Sequence, residues 1–261
     1  MAYLERPNAR LFYADSGGDK PVVVFSHGIF MDHSMFDAQV AALEGAFRCV
    51  AWDARGHGQS ESMGSFTYWD LADDLIALLD ELQVERAIFA AMSQGGFLSL
   101  RATLRSPQRA AGLFLIDTQA GPEPEHLVPV YQGFLEEWTS NGPTTELAET
   151  VASVIVGPAD HAPWVAKWLT KSKDYPREPF GCLVGRDDVT DRLPEIEAAV
   201  IVVHGEIDGA IPIERAQTLC SRLPNCERLV TIPGAGHAAN LSHPDEVNEL
   251  LIGFCRRHGV R

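Results

Sequence analysis

Basic residues are scarce in this 261-residue chain, where 21 Lys and Arg face 36 Asp and Glu and leave a formal net charge of -15 at pH 7. A surface of that sign lacks the footprint that nucleic acid or anionic lipid requires, so neither is expected as a partner. Long apolar runs are missing too, and no stretch approaches the roughly 20 residues needed to span a bilayer. The opening "MAYLERPNARLFYADSGG" has no basic segment followed by an apolar one, which argues against a secretory signal and makes the cytoplasm the expected location. Cysteine is sparse: Cys49, Cys182, Cys220, Cys226 and Cys255 are scattered and odd in number. That pattern fits neither a zinc site nor a disulfide framework, so buried reduced thiols are expected. Fixed-period repeats and low-complexity tracts are also absent.

What is present is an alternation. Runs rich in Val, Ile, Leu and Phe give way to a polar or glycine turn and then to a helical pattern, as in a mostly parallel sheet covered by helices, an α/β fold. Strands are expected in "PVVVFSHG" (21–28), "RCVAWD" (48–53), "AIFAAM" (87–92), "AAGLFLID" (110–117), "AAVIVVHG" (198–205) and "CERLVTIP" (226–233). Helices are expected over 34–47, 67–82 with Thr67 and Asp70 as a capping box, 94–106, about 212–223 and 244–258.

The alternation fails after Asp117. From about 121 to 195 there are helical patterns and no convincing strand, so we read residues 1–120 and 196–261 as the core and 121–195 as a helical insertion. The stretch 178–193 is expected to lead back toward the core as a helix. Tyr131, Phe134, Trp138, Trp164 and Trp168 fall in the insertion. Packing of the insertion's own small core is their first expected role, and lining an apolar pocket is the other.

In an open parallel sheet, ligands sit beyond the carboxyl ends of the strands, and the chemistry-bearing residues fall there. "AMSQGG" (91–96) nearly spells GxSxG, with Ala91 in place of the first glycine, and a strand precedes it while a helix follows. Ser93 is therefore the expected nucleophile, on a strained turn with φ above zero. A serine hydroxyl needs a base, and the base needs an orienting acid. His237 in "GAGHAANLSHP" and Asp208 in "VHGEIDGAIP" each follow a strand on that same edge and supply those roles. Asp117 is the rival acid, and Glu206 a weaker one. Backbone amides of Ile29, in "SHGIF", and of Gln94 are the expected donors to a developing oxyanion.

His27 is expected to fix the shape of its loop. The glycine-rich "WDARGHGQS" lacks a phosphate-loop signature and is expected to be structural, with Asp53 and Arg55 paired across its turn. No His, Asp and Glu have metal-ligand spacing along the chain, so no metal is expected, and His57, His126, His161, His243 and His258 are assigned to the surface or to packing.

Taken in order, "SHGIF", "WDARGHGQS", "AMSQGG", "VHGEIDGAIP" and "GAGHAANLSHP" resemble the α/β-hydrolase superfamily over the whole chain, with the insertion where such proteins carry a helical cap. The serine-hydrolase branch is the nearest match, and the chain is similar there to 3-oxoadipate enol-lactonases and small carboxylesterases. The resemblance implies catalytic Ser93, Asp208 and His237, an oxyanion hole from Ile29 and Gln94, and hydrolysis of a small-molecule carboxylic ester or lactone without a cofactor. Carbon-carbon bond cleavage or perhydrolysis by the same triad, or a ligand receptor with residual hydrolase activity, are the alternatives. Serine at the elbow disfavours epoxide hydrolases and haloalkane dehalogenases, which carry aspartate there. Ala238 departs from the tryptophan usual after the base of the carbon-carbon hydrolases.

Overall fold

The structure, a computed structural model, describes residues 2–259. Its sheet runs β1 (Ala2–Arg6), β2 (Ala9–Asp15), β4 (Arg48–Trp52), β3 (Val22–Ser26), β6 (Ala87–Met92), β7 (Ala110–Ile116), β8 (Ala199–Gly205), β9 (Cys226–Ile232), with β5 (Glu61–Ser62) pairing on β2. From β4 to β9 neighbours are parallel. Strands β3 and β6 are buried at every residue, which is why they read as unbroken apolar runs: helices cover both faces of a parallel sheet. Parallel pairing also sends the carboxyl ends of β3, β6, β7, β8 and β9 to one edge, and that edge carries the candidate site.

Around the sheet lie α1 (Asp37–Leu43), α2 (Tyr68–Glu81), α3 (Gln94–Arg105), α8 (Ile213–Arg222), α9 (Ala239–Ser242) and α10 (Pro244–His258). Helix α2 starts at the expected capping box: the Thr67 amide donates to Asp70 Oδ2 at 2.8 Å and the Asp70 amide to Thr67 Oγ1 at 3.3 Å. Its Leu71, Leu75, Leu78 and Leu79 are buried on one face. The expected helix over 34–47 is shorter than its pattern suggests. Asp32 takes the Ser34 amide and starts a 3-10 turn at His33–Phe36 before α1 begins.

Strands β1 and β2 form an antiparallel hairpin with Arg6 opposite Ala9, and β2 runs antiparallel to β4. The strand expectations above did not include this pair.

Between β7 and β8 the chain is helical: α4 (Val128–Asn141), α5 (Thr145–Ile155), α6 (Ala162–Leu169) and α7 (Arg177–Val184). Helix α7 does not lead directly into β8; a 3-10 turn at Thr190–Glu195 does. The tryptophans of this segment are buried: Trp138 packs on Phe134 and Tyr175 within it, and the cluster extends to a residue outside it. Trp138 and Trp168 pack against the ring of Phe30 from the loop after β3, and Trp168 Nε1 donates to the Phe30 carbonyl at 2.7 Å.

One expectation is corrected outright. Cys220 and Cys226 form a disulfide joining the end of α8 to the start of β9, with Cα atoms 5.4 Å apart. They are half-buried where a short connection folds back on itself, which puts the two side chains within bonding reach. Cys49, Cys182 and Cys255 are buried free thiols, as expected, and burial pushes each up to about 12.

Candidate active site

Ser93 sits between β6 and α3 at φ 51° and ψ -116°, the strained turn that aims a side chain up from the sheet edge. Its neighbours hold it there. The Ser93 amide donates to Ile116 O at 2.9 Å, and Thr118 Oγ1 donates to Ser93 O at 2.7 Å. The turn closes only because the helix start is bare of side chains: a Cβ on Gly95 would lie 1.9 Å from the Ser26 carbonyl. Ala91, the departure from GxSxG, is fully buried at ordinary negative φ and leaves this geometry intact.

The loops after β8 and β9 meet over Ser93. Gly205 makes this possible, since a Cβ there would fall 2.1 Å from Gly236 O. His237 Nε2 lies 3.0 Å from Ser93 Oγ, and its Nδ1 lies 2.9 Å from Asp208 Oδ2. Facing a carboxylate, Nδ1 carries the proton, which leaves Nε2 free to accept from the serine hydroxyl. Asp208 is oriented in turn by the Ala210 and Ile211 amides, which donate to Oδ1 at 2.8 and 3.0 Å.

These contacts set the electrostatics. Burial opposes charge on His237, but the charge and hydrogen bond of Asp208, with smaller help from Asp117 and Glu123, outweigh it and raise the imidazole above its ordinary value. Burial also opposes charge on Asp208, yet His237 and the two amides hold it below the usual carboxylate range. The arrangement can therefore take a proton from the serine hydroxyl and stabilise the resulting imidazolium.

Asp117, the rival acid, is placed close by and used differently. Its Oδ1 accepts the Gly205 amide at 2.7 Å and its Oδ2 the Ala239 amide at 3.0 Å, so it ties the ends of β7 and β8 to the segment after His237. Burial and the Asp208 charge push its carboxyl up to about 8. Glu206 accepts the Gly234 amide on the surface and does not join the chain of bonds to Ser93.

The loop after β3 brings Ile29 to the cavity above Ser93. Among the described residues, neither the Ile29 nor the Gln94 amide makes a turn or loop hydrogen bond to backbone. His27 shapes this loop as expected, donating from Nδ1 to Gly28 O at 2.7 Å and accepting the Ala54 amide on Nε2 at 2.9 Å. Phe30 follows at φ 63° and is clamped by Trp168. Lys167 adds a second tie, its Nζ lying 2.8 Å from Asp32 Oδ2.

The glycine-rich loop is structural, but its expected Asp53–Arg55 pair is corrected. Arg55 pairs instead with the buried Asp74 of α2, at 2.6 and 2.8 Å, while Asp53 takes the His33 amide and Nδ1 and the Gln59 amide. Side chains two residues apart diverge here, and each finds a partner from another element. His57 is buried and positions Gln94, whose Nε2 lies 3.3 Å from His57 Nε2 while its Oε1 accepts from Tyr68 at 3.4 Å.

Folding gathers two His and Asp groups that spacing along the chain does not reveal, Asp32–His33–Asp53 and Asp117–His204–Asp208. Their atoms are engaged by Lys167, by backbone amides, by the Ile211 carbonyl and by His237, except His204 Nδ1, which makes no hydrogen bond among the described residues.

Above Ser93 is a cavity of about 210 Å³ whose walls include Phe97, Tyr131, Phe134, Val151, Phe180 and Leu183. Tyr131 and Phe134 thus take the pocket role, whereas Trp138, Trp164 and Trp168 lie outside its walls. Glu123 and Thr118 were not singled out in the sequence; their position at and just beyond the end of β7 is the signal that marks them.

The family model for the alpha/beta hydrolase fold matches residues 21–244. The chain belongs to this family. A relative of this α/β hydrolase is the 3-oxoadipate enol-lactonase 1 of Acinetobacter baylyi, 26% identical over 254 residues that cover 90% of this chain and 89% of that one. The bifunctional esterase/perhydrolase of Acinetobacter calcoaceticus is 27% identical, with 94% and 96% covered. Among solved structures, a thermophilic esterase from Thermogutta terrifontis superposes with a TM-score of 0.83 at 26% identity, covering 97% and 95%. No helix among the described residues of this α/β hydrolase is long and apolar enough to cross a membrane.

Proposed function

We propose that this α/β hydrolase cleaves a small-molecule carboxylic ester or lactone through an acyl-enzyme on Ser93. The observation that carries the reading is the unbroken chain from Asp208 through His237 to Ser93, at 2.9 and 3.0 Å, beneath an apolar cavity. Ser93 Oγ attacks the carbonyl carbon while its proton passes to His237 Nε2. The oxyanion is received by the Ile29 and Gln94 amides, each contributing on the order of 3 kcal/mol. His237 then gives the proton to the departing oxygen, and the alcohol, or the tethered hydroxyl of an opened lactone, leaves the acyl-serine. Water attacks the acyl-enzyme, its proton moves to His237, and the carboxylic acid is released as Ser93 recovers its proton. The names of the relatives, an enol-lactonase and esterases, support this substrate class.

A second reading, perhydrolysis, rests on the esterase/perhydrolase relative. Hydrogen peroxide would replace water in the second half-reaction and yield a peracid, with the first half unchanged. Peracid formation from an ester and peroxide distinguishes the two.

Fluorophosphonate labelling followed by peptide mapping tests the mechanism. Stoichiometric modification of Ser93, lost in Ser93→Ala, is the expected outcome; a folded protein labelled elsewhere or not at all would overturn it.

A further inference from the structure

The cavity above Ser93 is lined mainly by aromatic and aliphatic side chains, and among the described residues no Lys or Arg is in its walls. The acidic side chain that reaches it is Glu123, from the segment after β7. Its Oε1 lies 2.8 Å from Arg186 Nη2, and its Oε2 accepts from the Tyr131 hydroxyl at 3.2 Å. The Arg186 side chain is fully buried behind it, with its guanidinium carbon 3.8 Å from the centre of the Phe97 ring and its Nε donating to Gly121 O at 2.9 Å. Glu123 and Phe97 line the cavity while Arg186 does not, so the pair presents its negative end to anything bound there.

The mouth is of the same character. Val130 on α4 and Val154 on α5 line the cavity yet are 62% and 44% exposed, which places an apolar opening between these two helices. At about 210 Å³ the cavity lies below the roughly 300–1,000 Å³ of pockets for drug-sized ligands, so a compact group fits it.

Resting on the ester or lactone reading above, we propose that the substrate group entering this cavity is uncharged and apolar, and that Glu123 is the residue that rejects carboxylate-bearing groups. A carboxylate brought in from water loses its hydration and meets no Lys or Arg among the described wall residues, while the nearest charged oxygen repels it. A cation gains little, because the Glu123 charge is already offset by Arg186 2.8 Å away and its Oε2 accepts from Tyr131. Burial between apolar walls is left as the source of affinity, and it favours a hydrocarbon chain. The site is therefore built against the half-esters and lactones of dicarboxylic acids.

The test compares kcat/KM for ethyl hexanoate and monoethyl adipate, acyl chains of equal length ending in a methyl and in a carboxylate, by acid release in a pH-stat. A preference for hexanoate on the order of a hundredfold is expected; a preference below about tenfold overturns the proposal. In Glu123→Gln the repelling charge is gone and the Arg186 guanidinium is uncompensated, so the preference should shrink at least tenfold whatever the absolute rates. Should that variant not fold, Val154→Lys, at an exposed wall position, places a cation at the mouth and should shrink the preference in the same sense. A preference unmoved in folded Glu123→Gln removes the role of Glu123, and one unmoved in folded Val154→Lys removes the electrostatic basis of the preference. If neither ester turns over and fluorophosphonate does not label Ser93, the hydrolase reading fails and takes this proposal with it. Equal turnover of both esters overturns the selectivity alone.

Discussion

Two aspartates end strands beside His237, and exchanging each for asparagine separates their roles. In Asp208→Asn, the amide replaces a carboxylate that accepts from His237 Nδ1 at 2.9 Å while its other oxygen is held by two backbone amides. Those amides fix which atom faces the ring: the asparagine oxygen stays on them, and its NH2 group points at Nδ1. The imidazole must then carry its proton on Nε2, the atom that has to accept from Ser93, and the imidazolium loses its counter-charge. Losses for an acid in this role are roughly 10⁴ in turnover, or about 5 kcal/mol of barrier at 1.36 kcal/mol per tenfold. Asp117→Asn is different in kind. Its two oxygens accept the Gly205 and Ala239 amides, and an asparagine can satisfy one of them. The buried amide left facing an NH2 group costs about 1–3 kcal/mol of stability. Turnover should fall by no more than about tenfold. Stopped assays of p-nitrophenyl butanoate hydrolysis, with thermal melts of both variants, read the two effects separately. A larger loss of kcat in a folded Asp117→Asn than in Asp208→Asn would refute the assignment.

The activity and the stability of the wild type should move in opposite directions with pH. Since His237 must be neutral to act and is raised by Asp208 despite burial, kcat/KM should climb with a midpoint above the ordinary histidine value of about 6.5, and a flat profile from about pH 5 to 8 would count against a histidine base. For stability, a raised His237 contributes fully below the unfolded value and loses that contribution as pH rises through its folded one. Asp117, at about 8 when folded, likewise holds a proton that the unfolded chain releases, so the melting temperature should fall between about pH 5 and 8. A rise over that window would contradict both shifts. Trp168→Phe removes the donor to the Phe30 carbonyl and should lower kcat about tenfold with a smaller change in KM, because the neighbouring Ile29 amide loses its fixed aim; unchanged kcat would show that the loop holds itself.

Much of this was legible in the chain, for a physical reason. Strands buried on both faces are dominated by Val, Ile, Leu, Phe and Ala, so β3, β6, β7 and β8 announced themselves, and Ser93, Asp208 and His237 stood in the polar loops that follow β6, β8 and β9. The hairpin of β1 and β2 did not, because both strands mix exposed and buried residues in short stretches at the sheet edge. Partners distant in sequence were equally hidden. Nothing in "WDARG" indicates that Arg55 will turn away from Asp53 to reach Asp74, nor does the spacing of Glu123 and Arg186 suggest that they meet. The tryptophans could be read as packing residues, but nothing showed that Trp138 and Trp168 would also meet Phe30 of the core.

That last contact bears on how the site keeps its shape. Ser93, Phe30 and Asp117 have φ of 51°, 63° and 47°, and conformations of this kind cost on the order of 1–3 kcal/mol each in a non-glycine residue. They persist only where the surroundings over-determine them. Ser93 is held from β7 through Ile116 and Thr118, Asp117 by the Gly205 and Ala239 amides, and Phe30 by Trp168 of α6. The first two ties lie within the sheet and its loops, but the third crosses to the helical segment whose Tyr131, Phe134 and Phe180 wall the cavity. The segment that shapes the pocket is thus also the one that fixes the loop bearing Ile29. Repacking α6, which lies outside the cavity walls, should consequently act mainly on kcat through the Phe30 loop, whereas changes on α5 at Val151 or Val154, which line the cavity, should act mainly on KM.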